Sequence, residues 1–269
     1  MILLILLLIH SALMSIAWFV RFKSGQSGWI DAIWSLSVAL CGGVAAWAPF
    51  QLSAISSRQV IVGFCVLVAF SRLGLDIARR ASRGLDDPRY LALQQQWGVR
   101  YRSRLYQFLQ IQALCGFILS LSVFLAARNP APFGRPCDWI GLALIMSSMA
   151  GETAADRQLR LFKQTHRQDL VCDIGLWGLS RHPNYFFQWL FWVGVAILAM
   201  NFDGEWFLGY VALAGPLMMY WLLVYVSGIP PLEKHMMQSR PEAYAHYRQR
   251  VNAFFPFSRS LAPALFQKK

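Results

Sequence analysis

Ser180-Arg181-His182-Pro183-Asn184-Tyr185 places five hydrogen-bonding side chains within six residues, just ahead of a long apolar run. Proline lacks an N–H and has a fixed φ, so Pro183 suits the first turn of a helix. The residue before it is pushed out of the α region, so a helix is predicted to start near Pro183. The positive end of that helix then points at Arg181 and His182, and free N–H groups, a helix dipole and an arginine together make an anion site. The plain alternative is a topogenic arginine beside a helix cap, since positive residues flank many membrane helices.

Ionisable residues inside apolar runs are costly and are functional candidates by default. Glu152, Asp156 and Arg160 fall at i, i+4 and i+8, one stripe of a predicted helix, and Lys163 extends it. An interfacial charge ladder is the alternative. Arg72 and Asp76 read as a self-neutralising i,i+4 pair. Asp31, near the start of a span, reaches the interface or pairs with Arg72. In the tail, Glu233 and Tyr247 exceed what a surface helix held by aromatic anchors requires. Cys41, Cys65, Cys115, Cys137 and Cys172 show no CxxC spacing, so neither a metal site nor a disulfide framework is expected.

Seven apolar segments must carry these groups. The chain has 269 residues, 57% of them hydrophobic, and soluble domains run nearer 45–50%. Spans are predicted at about 1–20, 29–50, 59–78, 105–127, 139–155, 183–200 and 206–226, each close to the ~20 residues that cross a bilayer. With no water to satisfy the backbone there, they should be helices. The first shows no signal-peptide flanks and reads as a retained span. Residues 79–104 and the tail from Gly228 read as interfacial helices. The expected fold is an all-α polytopic membrane bundle, a single domain over 1–269 with its cofactor-binding half at about 139–257.

The net charge of +12 could point to nucleic acid, but its distribution points to a membrane. Of 25 Lys and Arg, 21 fall on the loops after the first, third and fifth spans and on the tail, and three on the opposite loops. The positive-inside rule makes the rich face cytoplasmic, with the C-terminus inside and no role for nucleic acid. A bacterial inner membrane is the expected location.

Glu152-x3-Asp156-x-Gln158, Gly175-Leu176-Trp177, Ser180 to Tyr185, Gly228-Ile229-Pro230, Glu233, Tyr244-x2-Tyr247 and Phe254-x-Pro256 together resemble the steroid 5-alpha-reductase C-terminal superfamily. The likeness is greatest to its bacterial multi-pass membrane branch. Asp31, Arg72, Asp86-Asp87-Pro88-Arg89-Tyr90 and Trp97-Gly98 extend it over nearly the whole chain. The resemblance implies an NADPH-dependent reductase acting on an activated C=C bond of a sterol-like or other hydrophobic lipid substrate. It implies cofactor contacts from Glu152, Asp156, Arg160, Lys163, Arg181, His182, Asn184, Tyr185, Glu233 and Tyr247. Gln188 stands where the family usually has Asp or Glu. Steroid 5-alpha-reductases pair a helix-2 glutamate with a helix-3 tyrosine on the substrate's oxo group. Here the second span offers Asp31 as the catalytic acid, and the third has no tyrosine near Arg72.

Isoprenylcysteine carboxyl methyltransferases share an Arg-His-Pro-x-Tyr segment and a closing acidic-aromatic helix, with S-adenosylmethionine in place of NADPH. Asn184 and the Glu152/Asp156 stripe favour the reductase. A non-catalytic lipid-binding or assembly factor is the third reading, and the clustered cytoplasmic charges weigh against it.

Overall fold

A computed structural model of the chain describes residues 1–48, 55–84, 87–165, 170–203 and 206–257. Asp86, the end of the second predicted span at Phe50 and the tail beyond residue 257 lie outside the described residues.

The described residues are helical, with one isolated bridge between Ser180 and Asn252. In order they form α1 (Ile2–Ser24), α2 (Gly28–Trp47), α3 (Ser57–Ala81), α4 (Pro88–Trp97), α5 (Tyr101–Ala127), α6 (Pro136–Thr165), α7 (Pro183–Ala199), α8 (Ala214–Trp221), α9 (Ile229–Ser239) and α10 (Pro241–Arg250). Local chemistry sets several boundaries. Gly25 takes φ 78° and closes α1 by returning its N–H to Arg21, a left-handed cap that glycine adopts without a Cβ clash. Ser56 and Gln59 open α3 with a reciprocal capping box. Asp87 caps α4, and Pro88 occupies its first turn.

Five helical runs are long and apolar enough to cross a bilayer: Ile2–Ser24, Gly28–Trp47, Ser57–Ala81, Pro88–Ala127 and Phe207–Ser239. The protein is therefore a multi-pass membrane protein. The other two predicted spans are helical but outside that class. At 1.5 Å per residue, the 17 residues of α7 reach only about 25 Å, short of a ~30 Å core. The 30 residues of α6 are long enough, but Glu152, Asp156, Arg157, Arg160 and Lys163 break up its apolar character.

The chain divides into two compact units. The first comprises Met1–Leu142 and Val193–Pro216, the second Ala143–Trp192 and Leu217–Lys269. In the first, polarity is inverted relative to a soluble core. Leu4, Leu8, Ile16, Leu40, Phe64 and Ile111 face outward, while His10, Ser35, Ser37, Ser120 and Ser122 are buried. Lipid accepts the apolar face, and polar side chains bond across helices instead. His10, on α1, is fully buried between Ser37 on α2 (3.1 Å) and Ser120 on α5 (2.9 Å). Ser37 donates to the Trp34 carbonyl, so its lone pairs are left for His10 Nδ1–H, and Nε2 then accepts from Ser120.

One end of this unit is tied by arginines. Arg58 forms a buried ion pair with Asp138 at 2.6 Å, both side chains 3% exposed. Arg58 also donates to the Leu198 and Ala131 carbonyls, and Asp138 accepts from the N–H groups of Gly134 and Arg135. Arg128 donates to the Ala45 and Ala48 carbonyls at the end of α2. Arg135 bonds Asn201 and Asp203.

In the second unit, Ser148 of α6 donates to the Phe187 carbonyl of α7, and Gly151 leaves the room that the Phe187 ring fills. The run from Ala214 loosens into a π-turn over Leu222–Val226 before α9 begins. Tyr244, Tyr247 and Val251 gather with Val171, Met236 and Met237 into an apolar cluster.

Candidate functional site

The loop before α7 is built from both sides. A 3-10 turn at Gly175–Gly178 begins with Gly175 at φ 57°, where Gln158 stands so close that a Cβ would fall 2.7 Å from its amide. Gln158 in turn accepts the N–H of Leu176, and Trp177 Nε1 donates to the Ala155 carbonyl. α6 thus fixes the turn, and the turn delivers Ser180–Tyr185 to the start of α7 at Pro183, as the sequence predicts.

Arg181 spends its guanidinium on internal partners. Its Nε donates to Glu233 Oε1 at 2.8 Å, and a second guanidinium nitrogen stands 2.7 Å from the same oxygen. The third nitrogen donates to the carbonyls of Val251 and Arg248. Its backbone N–H is taken by the Asn252 carbonyl, and Ser180 donates to the Phe254 carbonyl. Arg181 and Glu233 therefore form a clamp between the loop and the tail. Tyr247 belongs to the same clamp, since its hydroxyl donates to the Trp177 carbonyl at 2.6 Å. These three sit where the sequence places cofactor contacts, yet their bonds are internal.

His182 is buried, its ring stacked on Tyr185 at 5.6 Å and its Nε2 3.5 Å from Glu233 Oε1. Burial pushes its pKa below the ordinary value, against the pull of Glu233 and with the help of the Arg181 charge. Burial likewise raises the hydroxyls of Tyr244 and Tyr247, so both keep their protons. Tyr244 has a buried hydroxyl with no hydrogen-bond partner among the described residues.

The acidic stripe of α6 rotates as it runs. Glu152 is buried on the face shared with Ile145, Ser148 and Ala155, Asp156 is half-buried, and Arg160 and Lys163 are exposed. Each i+4 step overshoots a full turn by about 40°, so equal spacing still carries the chain from core to surface. Asn184 is half-buried at the first turn of α7. Two cavities lie among the described residues of the second unit. One of ≈ 330 Å³ is lined by Arg181, Met237, Ala245, Arg248 and Gln249. The other, of ≈ 670 Å³, runs along α6 past Met146, Met149, Thr153, Arg157, Gln158 and Leu161.

In the first unit Asp31 has a different partner from the expected Arg72. Arg72 stays with Asp76 on its own helix at 4.0 Å. Asp31 Oδ2 pairs with Arg89, and Oδ1 accepts the hydroxyl of Tyr90 at 2.8 Å. Arg89 also holds Asp87, the cap of α4. The sequence shows Arg89 and Tyr90 without attaching them to Asp31, because 58 and 59 residues of aperiodic separation intervene. The available signal was a tyrosine next to the arginine in a capped, proline-started segment.

Fold and site together define a multi-pass helical membrane protein with a polar loop–helix junction locked by its own tail. The chain belongs to the family described as "Protein of unknown function (DUF1295)", a steroid 5-alpha-reductase-like family whose model matches residues 17–251. It is also similar to "Uncharacterized protein C594.04c" of Schizosaccharomyces pombe, 23% identical over 93% of this chain and 78% of the yeast protein. No solved structure matches.

Proposed function

We propose that the protein is an NADPH-dependent membrane reductase that reduces an activated C=C bond of a lipid-like substrate. The observation that carries this reading is the Tyr90–Asp31 hydrogen bond. Steroid 5-alpha-reductases set an acid and a tyrosine on the substrate's oxo group, and here α4 supplies the tyrosine that the third span lacks. Asp31 accepts on both oxygens, and the single proton of the Tyr90 hydroxyl is given to it, so that proton serves a substrate only by turning from Asp31 to the substrate's oxo group. Asp31 and Arg89 hold the hydroxyl in place beforehand, and once its proton has turned to the acceptor the new hydrogen bond would stabilise the negative charge that develops there.

NADPH would supply the hydride. The residues of the second unit fit its polar parts. Arg248, beside the ≈ 330 Å³ cavity, and exposed Arg160 suit phosphates. Glu152, Asp156, Asn184 and Tyr185 suit ribose hydroxyls and the carboxamide. Arg181, His182, Glu233 and Tyr247 hold the loop that presents Asn184 and Tyr185.

Isothermal titration of the detergent-solubilised protein tests the cofactor: NADPH should bind far more tightly than S-adenosylmethionine. The reverse order would make the protein a methyltransferase. Tyr90→Phe keeps the ring in the core and removes the donor, so reduction of an enone should fall by about 10²-fold or more while NADPH affinity holds. Unchanged turnover in that variant would remove Tyr90 from the chemistry. Asp31→Asn should lose activity as well, and a loss of NADPH binding with it would make Asp31 purely structural.

A further inference from the structure

Sequence alone reads Arg21 as one of two positive residues marking the end of the first span. The structure turns it inward. Leu6, His10, Met14, Ala17 and Arg21 form the buried face of α1, and Arg21 is only 7% exposed. Its one hydrogen bond is to the Gln94 amide oxygen of α4, at 3.3 Å. Its Nε is buried without a partner, and no carboxylate pairs with it among the described residues. Other acids of this unit are committed elsewhere: Asp31 and Asp87 to Arg89, Asp76 to Arg72 and Arg79.

A buried guanidinium with one neutral partner is expensive, because desolvation is not offset by an opposite charge. The same corner holds two further unsatisfied groups. Tyr101, the first residue of α5, packs edge-on against Phe22 at 5.9 Å, and its buried hydroxyl has no partner among the described residues. Arg102 stacks its guanidinium 4.9 Å over the same Phe22 ring. Phe22, the neighbour of Arg21 on α1, thus brings the Tyr101 ring and the Arg102 guanidinium to the helix end that carries Arg21, and no carboxylate pairs with Arg21 among the described residues.

We propose that Arg21, Arg102 and Tyr101 bind a phosphate group. A tetrahedral oxyanion accepts the paired N–H groups of a guanidinium and a phenolic O–H together. The end of a span is also the depth at which lipid phosphates lie. The phosphate belongs either to an anionic membrane lipid or to a free phosphate species reaching the same corner.

Thermal unfolding of the full chain in a phosphate-free, uncharged detergent tests this. Phosphatidylglycerol should raise the wild-type Tm by about 2–4 °C, while diacylglycerol of the same acyl chains should not. Inorganic phosphate, compared with chloride at equal ionic strength, tells a free ligand from a lipid, and a rise with either source supports the site. Arg21→Gln should be at least as stable as wild type without phosphate, because it removes a buried unpaired charge. It should lose the rise, whereas Arg100→Gln, an exposed arginine at the same end, should keep it. Equal shifts in wild type and Arg21→Gln, or no shift with either phosphate source, overturn the proposal. If Arg21→Gln does not fold, the wild-type comparison of phosphatidylglycerol with diacylglycerol and of phosphate with chloride still decides.

Discussion

At the scale of single residues, the buried His182 gives the clearest pH dependence. Its folded pKa lies below the ordinary 6.5, because burial penalises the charged ring. Well above pH 6.5 neither folded nor unfolded chain protonates it, and its full contribution to stability is present. As pH falls below 6.5, the unfolded chain takes up a proton that the folded one refuses, so stability drops by at most about 1.4 kcal/mol per pH unit. Glu233 faces the ring and moderates the drop, while Arg181 and the stacked Tyr185 do not relieve it. Unfolding midpoints measured from pH 7.5 to 5 should fall more steeply for wild type than for His182→Gln. Parallel curves would mean that His182 takes no part. The types of these residues were legible in the sequence, but their roles were not. An arginine before a helix reads as an anion ligand until the tail is known to reach it, and Glu233 lies 52 residues downstream.

Among elements, the helices were the legible part, since apolar runs near 20 residues leave few alternatives to a helix in lipid. What joins them was hidden. Arg58 and Asp138 stand 80 residues apart, share no periodic pattern and look like ordinary loop charges. Their pair ties the start of α3 to the start of α6 in a nearly dry setting. Asp138→Ala should strand the arginine and cost about 3–5 kcal/mol of stability. The double replacement Arg58→Met with Asp138→Leu should recover most of that loss, because no charge is left unpaired. Denaturant titration in mixed micelles separates these outcomes, and a single variant as stable as wild type would mean that the pair contributes little. The α6 stripe shows another limit of pattern reading. Spacing put Glu152 and Arg160 on one line, yet the helix carries one inside and the other out.

Across the whole molecule, the distribution of charge has an informative exception. If all seven predicted spans cross, Arg58, Arg128 and Arg135 are the three cations that fall on the poor side of the positive-inside count. All three are consumed by Asp138, by the end of α2, or by Asn201 and Asp203. Cations held for structure explain the dissent on that count, and five or seven crossings alike would put the two termini on opposite faces. A reporter fused after Lys269 should therefore read cytoplasmic, and a periplasmic signal would reverse the topology. The Arg181 clamp adds a matter of timing. Ser180 closes on a carbonyl 74 residues further along, and Arg181 on one 70 residues further along. At a synthesis rate of about 5–20 residues per second, the loop leaves the ribosome seconds before the partners that lock it. The junction at Pro183 thus spends its first moments open, its polar threshold still waiting to be latched.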